Sequence, residues 1–126
     1  MHKVLLSIGT NTEARFNLNR AIHLLKRDFP SINFTSIIES KPYGSQYKRP
    51  FLNTLAYFHT TMNKEDLISI LKKNEINMGR KPKDKSNGKI VIDIDLIKWN
   101  NELIKPEDFK RSYVRKLLLE VVWMRG

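Results

Sequence analysis

The sequence KIVIDIDLIKW, residues 89–99, is the stretch from which the fold can be worked out. Apolar and often β-branched residues run through it, as is typical of a buried strand, and only Asp93 and Asp95 interrupt the run. Because side chains alternate faces along a strand, the two carboxylates lie on one face, roughly 7 Å apart at Cβ. Two like charges on one face cost free energy unless a cation or a proton donor lies between them. The pair therefore marks either a solvent-facing strand surface or a charged site.

The segments around this stretch alternate between strand patterns and helix patterns. β-Branched and aromatic residues predict strands at residues 3–8, 32–38, 51–61 and 89–99. Apolar residues at helical spacing predict helices at residues 17–25, 64–78 and 113–123. The order is β-α-β-β-α-β followed by a C-terminal helix, which predicts an α+β, ferredoxin-like domain with one antiparallel sheet covered by helices.

The length and composition predict one domain, residues 1–126, in the cytoplasm. The chain has 126 residues, 40% of them hydrophobic, which is enough for a core. It has no cysteine, so disulfides and cysteine-based zinc sites are excluded. The apolar run at Val4–Leu6 is too short for a signal peptide, and no run approaches the roughly 18 apolar residues of a membrane span. We therefore expect no membrane partner.

The strong positive charge leaves more than one function open. Twenty-three lysines and arginines face thirteen acidic residues, a net charge of +10 that is densest at residues 72–89. Nucleic acid, a phosphate-bearing small molecule and a merely solvated surface are all compatible with such a charge. An RNA-binding ferredoxin-like domain would carry a K/R-G-F/Y-G/A-F-V-type strand for base stacking. The sequence contains no such segment, and we expect no nucleic-acid partner.

The aspartate pair and the basic loop before it favour a magnesium site. Two carboxylates, completed by phosphate oxygens and water, commonly hold Mg²⁺ where phosphoryl groups are transferred. The lysine-rich loop at residues 80–87 could supply further positive charge to a polyphosphate. A half-exposed strand would alternate in the same way, so the residues alone leave the solvent-facing alternative open.

Four short motifs, in this order, resemble the 6-hydroxymethyl-7,8-dihydropterin pyrophosphokinase family. They are SIGTN at residues 7–11, SKPYGSQYKRPFLN at 40–53, EINMGR at 75–80 and IDID at 92–95. The resemblance extends from about residue 3 to about residue 120. It implies a ferredoxin-like fold, in agreement with the order of elements. It also implies an enzyme of folate biosynthesis that uses ATP to pyrophosphorylate the hydroxymethyl group of a reduced pterin.

The resemblance implies a role for each matching residue on the phosphate side. Asp93 and Asp95 match the aspartates that bridge two Mg²⁺ ions on the ATP phosphates, so that metal would compensate their charge. The residues expected to bind the nucleotide are Glu75, Arg80 and Arg111. The cations expected to balance phosphate charge during catalysis are Arg80, Lys89 and Arg111. Without the resemblance, Glu75 could be a surface helix residue and Arg80 a cation favoured by the helix C-terminus.

The resemblance also implies a pterin side. The residues expected there are Ser40, Tyr43, Phe51, Asn53 and Tyr113. Phe51 and Tyr113 match the two rings between which the family holds the pterin, and the Asn53 amide can donate and accept along the pterin edge. Residues 9–11 match a Gly-Ser-Asn turn that would shape the floor of the site. Taken singly, Phe51 could instead be a core residue and Asn53 a residue at the start of a strand.

The chain departs from the family in the loop before the aspartates. Where the family carries an arginine, a tryptophan and a second arginine, this sequence has Pro82, Asn87 and Ile90. Lysines keep residues 81–89 basic, but a lysine cannot form a planar bidentate clamp. The family's Pro-His segment before the last helix is shortened and lacks histidine, and the sequence ends soon after Glu120. The alternative is therefore a monomeric pterin- or nucleotide-binding relative with little or no turnover; a monomer is expected in either case.

Overall fold

The predicted strands and helices occur in the predicted order, and the structure adds a two-residue strand at Glu102–Leu103. The computed structural model describes residues 1–42 and 47–124. Its strands are β1 (His2–Thr10), β2 (Asn33–Phe34), β3 (Ile38–Ser40), β4 (Phe51–Thr60), β5 (Asp93–Trp99) and β6 (Glu102–Leu103). Its α-helices are α1 (Ala14–Asp28), α2 (Lys64–Asn77) and α3 (Ser112–Leu118). Short 3₁₀ turns lie at Lys85–Asn87, Pro106–Lys110 and Val122–Met124.

The described strands form one antiparallel sheet with β1 and β4 at its centre. β4 pairs with β1 from His2 opposite Thr60 to Thr10 opposite Leu52. β5 pairs with the other edge of β1, and β6 extends the sheet beyond β5. β2 and β3 both pair with the outer edge of β4. The connection from β1 to β2 runs through α1, and β4 lies between these two strands in the sheet. The connection from β4 to β5 runs through α2, and β1 lies between them. These two crossovers confirm the ferredoxin-like prediction.

Both faces of the sheet are covered. Alternate residues of β1, such as Val4 and Leu6, pack against α1 and α2 in one buried cluster. Leu5 points to the opposite face and packs against α3 in a second buried cluster, which includes Tyr113. This alternation is the period of two expected of a strand buried on both faces. Within the described ranges, no helix is long and apolar enough to cross a membrane.

The predicted strand at residues 89–99 is too long at its start. β5 begins at Asp93, which lies opposite Gly9, one residue before the end of β1. Ile90, Val91 and Ile92 are buried but lie outside the strand pairing. Ile90 N–H donates instead to Asn11 Oδ1 at 2.7 Å, and Asn11 N–H donates to Ile90 O at 3.1 Å. The chain pairs with a turn here because β1 offers almost no backbone beyond this point.

Two other predicted boundaries are wrong. The strand predicted at residues 32–38 is split into β2 and β3 around Thr35. The Thr35 hydroxyl accepts a hydrogen bond from Leu55 N–H at 2.9 Å. In a continuous strand pairing, this N–H of β4 would donate to a backbone carbonyl instead. The helix predicted at residues 113–123 begins at Ser112 but ends at Leu118, followed by a 3₁₀ turn.

Candidate active site

Asp93 and Asp95 lie on the same face of β5 and line one cleft. They sit opposite Gly9 and Ser7 of β1, and the intervening Ile94 packs into the core. Each carboxylate has its own cation. Arg80 Nη1 lies 2.8 Å from Asp93 Oδ1, and Lys105 Nζ lies 3.0 Å from Asp95 Oδ1. Two cations of the protein itself therefore partly offset the repulsion expected from the sequence.

The end of α2 sets the position of Arg80. Gly79 adopts a left-handed φ of 96°, its N–H donates to Ile76 O at 2.9 Å, and Arg80 N–H donates to Glu75 O at 3.1 Å. These bonds form a Schellman motif, in which glycine reverses the chain at the helix end. The reversal places Arg80 Nη1 2.8 Å from Glu75 Oε2. Arg80 thus bridges a helix carboxylate and the first carboxylate of β5.

Glu75 ties α2 to β5. Its Oε2 accepts a hydrogen bond from Ile94 N–H at 2.7 Å, between the two aspartates in sequence. Its side chain is only 12% exposed, so the surface position that the sequence also allowed is wrong. A buried carboxylate with a backbone donor and a guanidinium is a rigid support for that guanidinium. Glu75 fixes where Arg80 can present its remaining donors.

Burial and the neighbouring charges shift the pKa values of this cluster. Burial raises the pKa of Asp95 to about 7, and the adjacent Asp93 adds to the rise, while Lys105 opposes it. Burial also raises the pKa of Glu75, against the opposing effects of the Ile94 N–H and Arg80. Burial acts to lower the pKa of Arg80 and Lys105, but the aspartates outweigh it and the net direction is upward. Both cations therefore stay charged at neutral pH.

One cleft of about 380 Å³ brings most of the predicted site residues together. Those that line it are Phe51, Asn53, Arg80, Asp93, Asp95, Arg111 and Tyr113. A second cavity of about 470 Å³ shares Arg80, Lys85 and both aspartates with this cleft and adds Glu75, Pro82 and Lys105. The carboxylate pair therefore borders two adjoining spaces, one with aromatic walls and one with basic walls.

The aromatic wall holds a fixed amide. Asn53 is buried, and its Nδ2 donates to Ser40 Oγ at 2.8 Å and to Ile38 O at 3.3 Å. A Cβ added at Gly9 would come within 3.0 Å of Asn53 Oδ1, so the glycine makes room for this oxygen. Ser40 lines a neighbouring cavity of about 340 Å³ together with Tyr113, rather than the cleft. Ser40 is linked to the cleft by its hydrogen bond with Asn53, which lines the cleft.

The two predicted rings lie on the same cleft. Phe51 is half-buried at the start of β4 and lines the cleft instead of the core, so the core alternative for it is wrong. Tyr47 packs edge-on against it, with ring centroids 5.4 Å apart. Tyr113 is held among the buried residues of α3. Tyr43 lies outside the described residues.

The predicted cations differ in their placement. Arg111 lines the cleft with its Nε 3.5 Å from Asp108 Oδ1. Lys89 is exposed and does not line either space, and its backbone N–H donates to Asp84 O at 2.9 Å. Lys85, four residues earlier, lines both. The 3₁₀ turn at 85–87 thus presents a different lysine of the loop from the one the sequence indicated.

Lys105 and Asp108 are site residues that the sequence analysis missed. The turn at Asn100 and Asn101 indicates that the chain returns beside β5. The β5–β6 hairpin pairs Lys98 with Leu103, and continuing that antiparallel register places Lys105 opposite Leu96, on the face away from Asp95. In the structure Ile104 N–H and Lys105 N–H both donate to Ile97 O, so the regular register ends there and Lys105 reaches Asp95. Neither Lys105 nor Asp108 stands in a motif, and the hairpin register alone does not indicate them.

The donor set of the cleft suits Mg²⁺ that arrives with phosphate. Two carboxylates on one strand face supply oxygen ligands, which are the hard ligands that Mg²⁺ prefers. Among the described residues, no group of three or more His, Cys, Asp or Glu side chains could hold a metal. Mg²⁺ commonly takes one or two carboxylates and completes its shell with substrate phosphates and water. The residues present fit such an ion, but they do not build a cage without the phosphates.

A cleft that combines paired carboxylates with arginine and lysine side chains is typical of an enzyme that handles phosphate groups. A family model described as 7,8-dihydro-6-hydroxymethylpterin-pyrophosphokinase matches residues 5–123. The chain belongs to this family and is an enzyme of the pyrophosphokinase type.

Named relatives agree with this assignment. A 2-amino-4-hydroxy-6-hydroxymethyldihydropteridine pyrophosphokinase of Aquifex aeolicus is 30% identical over 130 residues, covering 96% of this chain and 81% of the relative. The protein of the same name from Porphyromonas gingivalis is 28% identical over 137 residues, with 96% and 92% covered. A folate synthesis bifunctional protein of Chlamydia caviae is 30% identical over 119 residues, with 89% and 27% covered. The family and these names support pyrophosphate transfer in folate biosynthesis.

Proposed function

We propose that the protein transfers the terminal pyrophosphate of ATP to 6-hydroxymethyl-7,8-dihydropterin, with Mg²⁺ held by Asp93 and Asp95. The observation that carries the proposal is the shared cleft, in which aromatic rings and a fixed amide face a carboxylate pair with guanidinium groups. A flat heterocycle requires the first kind of wall. A polyphosphate with its metal requires the second.

The aromatic side orients the pterin. Phe51 and Tyr113 supply ring faces, and Asn53 supplies an amide whose orientation is fixed by its bond to Ser40. A pre-oriented amide loses little entropy on binding and discriminates between hydrogen-bonding patterns along the heterocycle edge. These residues would hold the hydroxymethyl group toward the carboxylate pair, which lines the same cleft.

The charged side brings the two reactants in line. Mg²⁺ held by Asp93 and Asp95 would neutralise phosphate charge when bound. Arg80 and Arg111 line the cleft and would stabilise the negative charge of the transferring group. The hydroxymethyl oxygen forms a bond to the β-phosphorus, and the bond from that phosphorus to the oxygen bridging the α- and β-phosphates breaks. AMP leaves with that oxygen, and the hydroxyl proton passes to water. This step needs positioning and charge neutralisation more than covalent help.

Titration calorimetry and product analysis test the proposal together. Mg²⁺, α,β-methylene-ATP and 6-hydroxymethylpterin are titrated singly and in combination, and AMP formation from ATP is followed with the dihydropterin. We expect tight pterin binding only when the nucleotide analogue and Mg²⁺ are both present, and AMP in equal amount to the pyrophosphorylated pterin. Pterin binding that is indifferent to metal and nucleotide, without AMP formation, would instead favour the binding relative with little turnover.

Replacing Phe51 by alanine is expected to weaken pterin binding by about tenfold, because the loss of a stacked ring costs about 1 kcal/mol or more beyond the buried area. Binding of the metal–nucleotide pair should remain within twofold. Calorimetry measures both affinities. Phe16→Ala is the matched control, since Phe16 is 65% exposed and does not line the cleft. Equal pterin affinities in the two variants would contradict the role of Phe51.

Pro82→Arg is expected to raise kcat several-fold, by about 3- to 10-fold, with KM nearly unchanged. Pro82 is exposed and lines the second cavity, so an arginine there would add a guanidinium that acts mainly on the transition-state charge. Steady-state kinetics with thermal melts measure the effect, and Pro82→Gln controls for loss of the proline. An unchanged kcat would show that Lys85 and its neighbours already supply enough charge. Ile90 is unsuitable for the same test because it is buried.

A further inference from the structure

Lys105 is held in place by backbone contacts on both sides. Its N–H donates to Ile97 O at 3.3 Å, and the preceding Ile104 N–H donates to the same oxygen at 2.9 Å. On the other side, Asp108 N–H donates to Lys105 O at 3.1 Å, within the turn that Pro106 begins. The position of this lysine beside Asp95 is therefore set by the hairpin and the turn, and it is not a chance contact of a loose loop.

Lys105 reaches Asp95 from the second cavity. It lines that space and not the aromatic cleft, whereas Asp95 lines both. Its Nζ lies 3.0 Å from Asp95 Oδ1, and its side chain is 47% exposed. A half-exposed lysine on a flexible stem can leave a carboxylate without a large change in the fold.

Arg80 differs from Lys105 in how firmly it is held. The Arg80 Nη1 that contacts Asp93 also contacts Glu75 Oε2 at 2.8 Å and Ile92 O at 3.3 Å. Of the two cations on the carboxylate pair, Lys105 is therefore the one that can be displaced at lower cost. Its departure would expose the Asp95 oxygen that a divalent ion needs.

A lysine ammonium beside Asp95 opposes a divalent cation at the same carboxylate. A dication bound there would lie roughly 5 Å from Nζ, where the repulsion between a double and a single charge remains substantial even in water. Nucleotide phosphates change this balance. Lys72, Lys85 and Lys105 line the second cavity together, so a polyphosphate would give Lys105 a new anionic partner while it brings the metal to Asp95.

We propose, as an extension of the function proposed above, that Lys105 is a resident counter-cation that keeps free divalent metal from Asp95 and gives way when metal arrives with nucleotide. Lys105 is thus a positioning residue that couples metal binding to nucleotide binding.

Lys105→Met tests this inference with Mn²⁺ as the metal probe. Free Mn²⁺ is measured by electron paramagnetic resonance at pH 8, with the protein alone and with α,β-methylene-ATP. We expect the variant to bind Mn²⁺ alone at least tenfold more tightly than the wild type, and to show much less gain on adding the nucleotide analogue. Lys105→Arg keeps the charge and should resemble the wild type. Lys64→Met removes an equal charge from the Glu102 pair and should change nothing.

Two results would overturn the inference, and they differ from a failure of the proposed function. If wild type and Lys105→Met bind Mn²⁺ alone equally, or the variant binds it more weakly, Lys105 does not exclude metal. The proposed function survives that result provided that Mn²⁺ still binds the wild type with the nucleotide analogue. If the wild type binds no Mn²⁺ even with the analogue, the metal site and the inference fall together.

Discussion

Asp95→Asn is expected to abolish Mg²⁺-dependent nucleotide binding and to lower the rate of pyrophosphate transfer by about a thousandfold or more. The cleft offers two carboxylates, and the described residues contain no larger acidic or histidine cluster that could replace one of them. An amide at this position removes one of two hard anionic ligands and the charge that offsets a divalent ion. Calorimetry with α,β-methylene-ATP at fixed Mg²⁺ measures the binding, and AMP formation measures the rate.

The same substitution is expected to stabilise the metal-free protein near neutral pH. The folded state raises the pKa of Asp95 to about 7 from an ordinary value of 3.8, chiefly through burial. Between these values the folded protein binds more protons than the unfolded chain, so the free energy of unfolding falls as pH rises and is lowest above about pH 7. An asparagine does not titrate and removes this slope. We expect a gain of roughly 2–4 kcal/mol at pH 8 and a much smaller one at pH 5.

Urea denaturation of the wild type and of Asp95→Asn at pH 5 and pH 8 measures this difference in the free energy of unfolding. Glu107→Gln, at an exposed carboxylate of the 3₁₀ turn, serves as the matched control and should leave the pH slope and the nucleotide affinity unchanged. An Asp95→Asn protein that is folded and still binds the nucleotide with Mg²⁺ at full affinity would refute the metal site. One that is destabilised at pH 8 would instead show that the carboxylate stabilises the fold.

The parts of the fold that the sequence predicted well are those decided locally. The strand at 51–61 and the helix at 64–78 are long and periodic, and the structure confirms both within one residue at each end. Gly79 marked the helix end because only a left-handed residue completes the reversal there. Phe51 and Asn53 on that strand and Arg80 just after that helix line one cleft in the structure.

The parts that the sequence could not predict depend on distant contacts. β5 starts late because Ile90 pairs with Asn11, which lies 79 residues earlier in the chain. A pattern of apolar residues cannot distinguish a buried strand from a buried segment that pairs with a turn. In the same way, the 3₁₀ turn before Gly88 decides which lysine faces the site. Periodicity holds no information about these two features.

Arg80→Met is expected to destabilise the protein by about 2–4 kcal/mol at pH 8, because breaking a largely buried ion pair leaves the other charge uncompensated. The carboxylates left behind are Asp93 and the more deeply buried Glu75, which would retain the Ile94 N–H as a donor. At lower pH a protonated Glu75 relieves the cost, so the destabilisation should be smaller at pH 5 than at pH 8. Urea denaturation at the two pH values measures it. The double variant Glu75→Gln/Arg80→Met should recover most of the loss.

Arg80→Lys separates the structural role of this residue from its role in catalysis. The contacts to Glu75, Asp93 and Ile92 O are all made by the single atom Nη1. One lysine ammonium can occupy that position, so stability should stay within about 1 kcal/mol of the wild type. The other guanidinium donors would be lost from a residue that lines both cavities, and kcat should fall about a hundredfold. If kcat and stability instead fall together in Arg80→Lys, Arg80 serves only to hold α2 against β5, and the transferring phosphate is stabilised by Arg111 and Lys85.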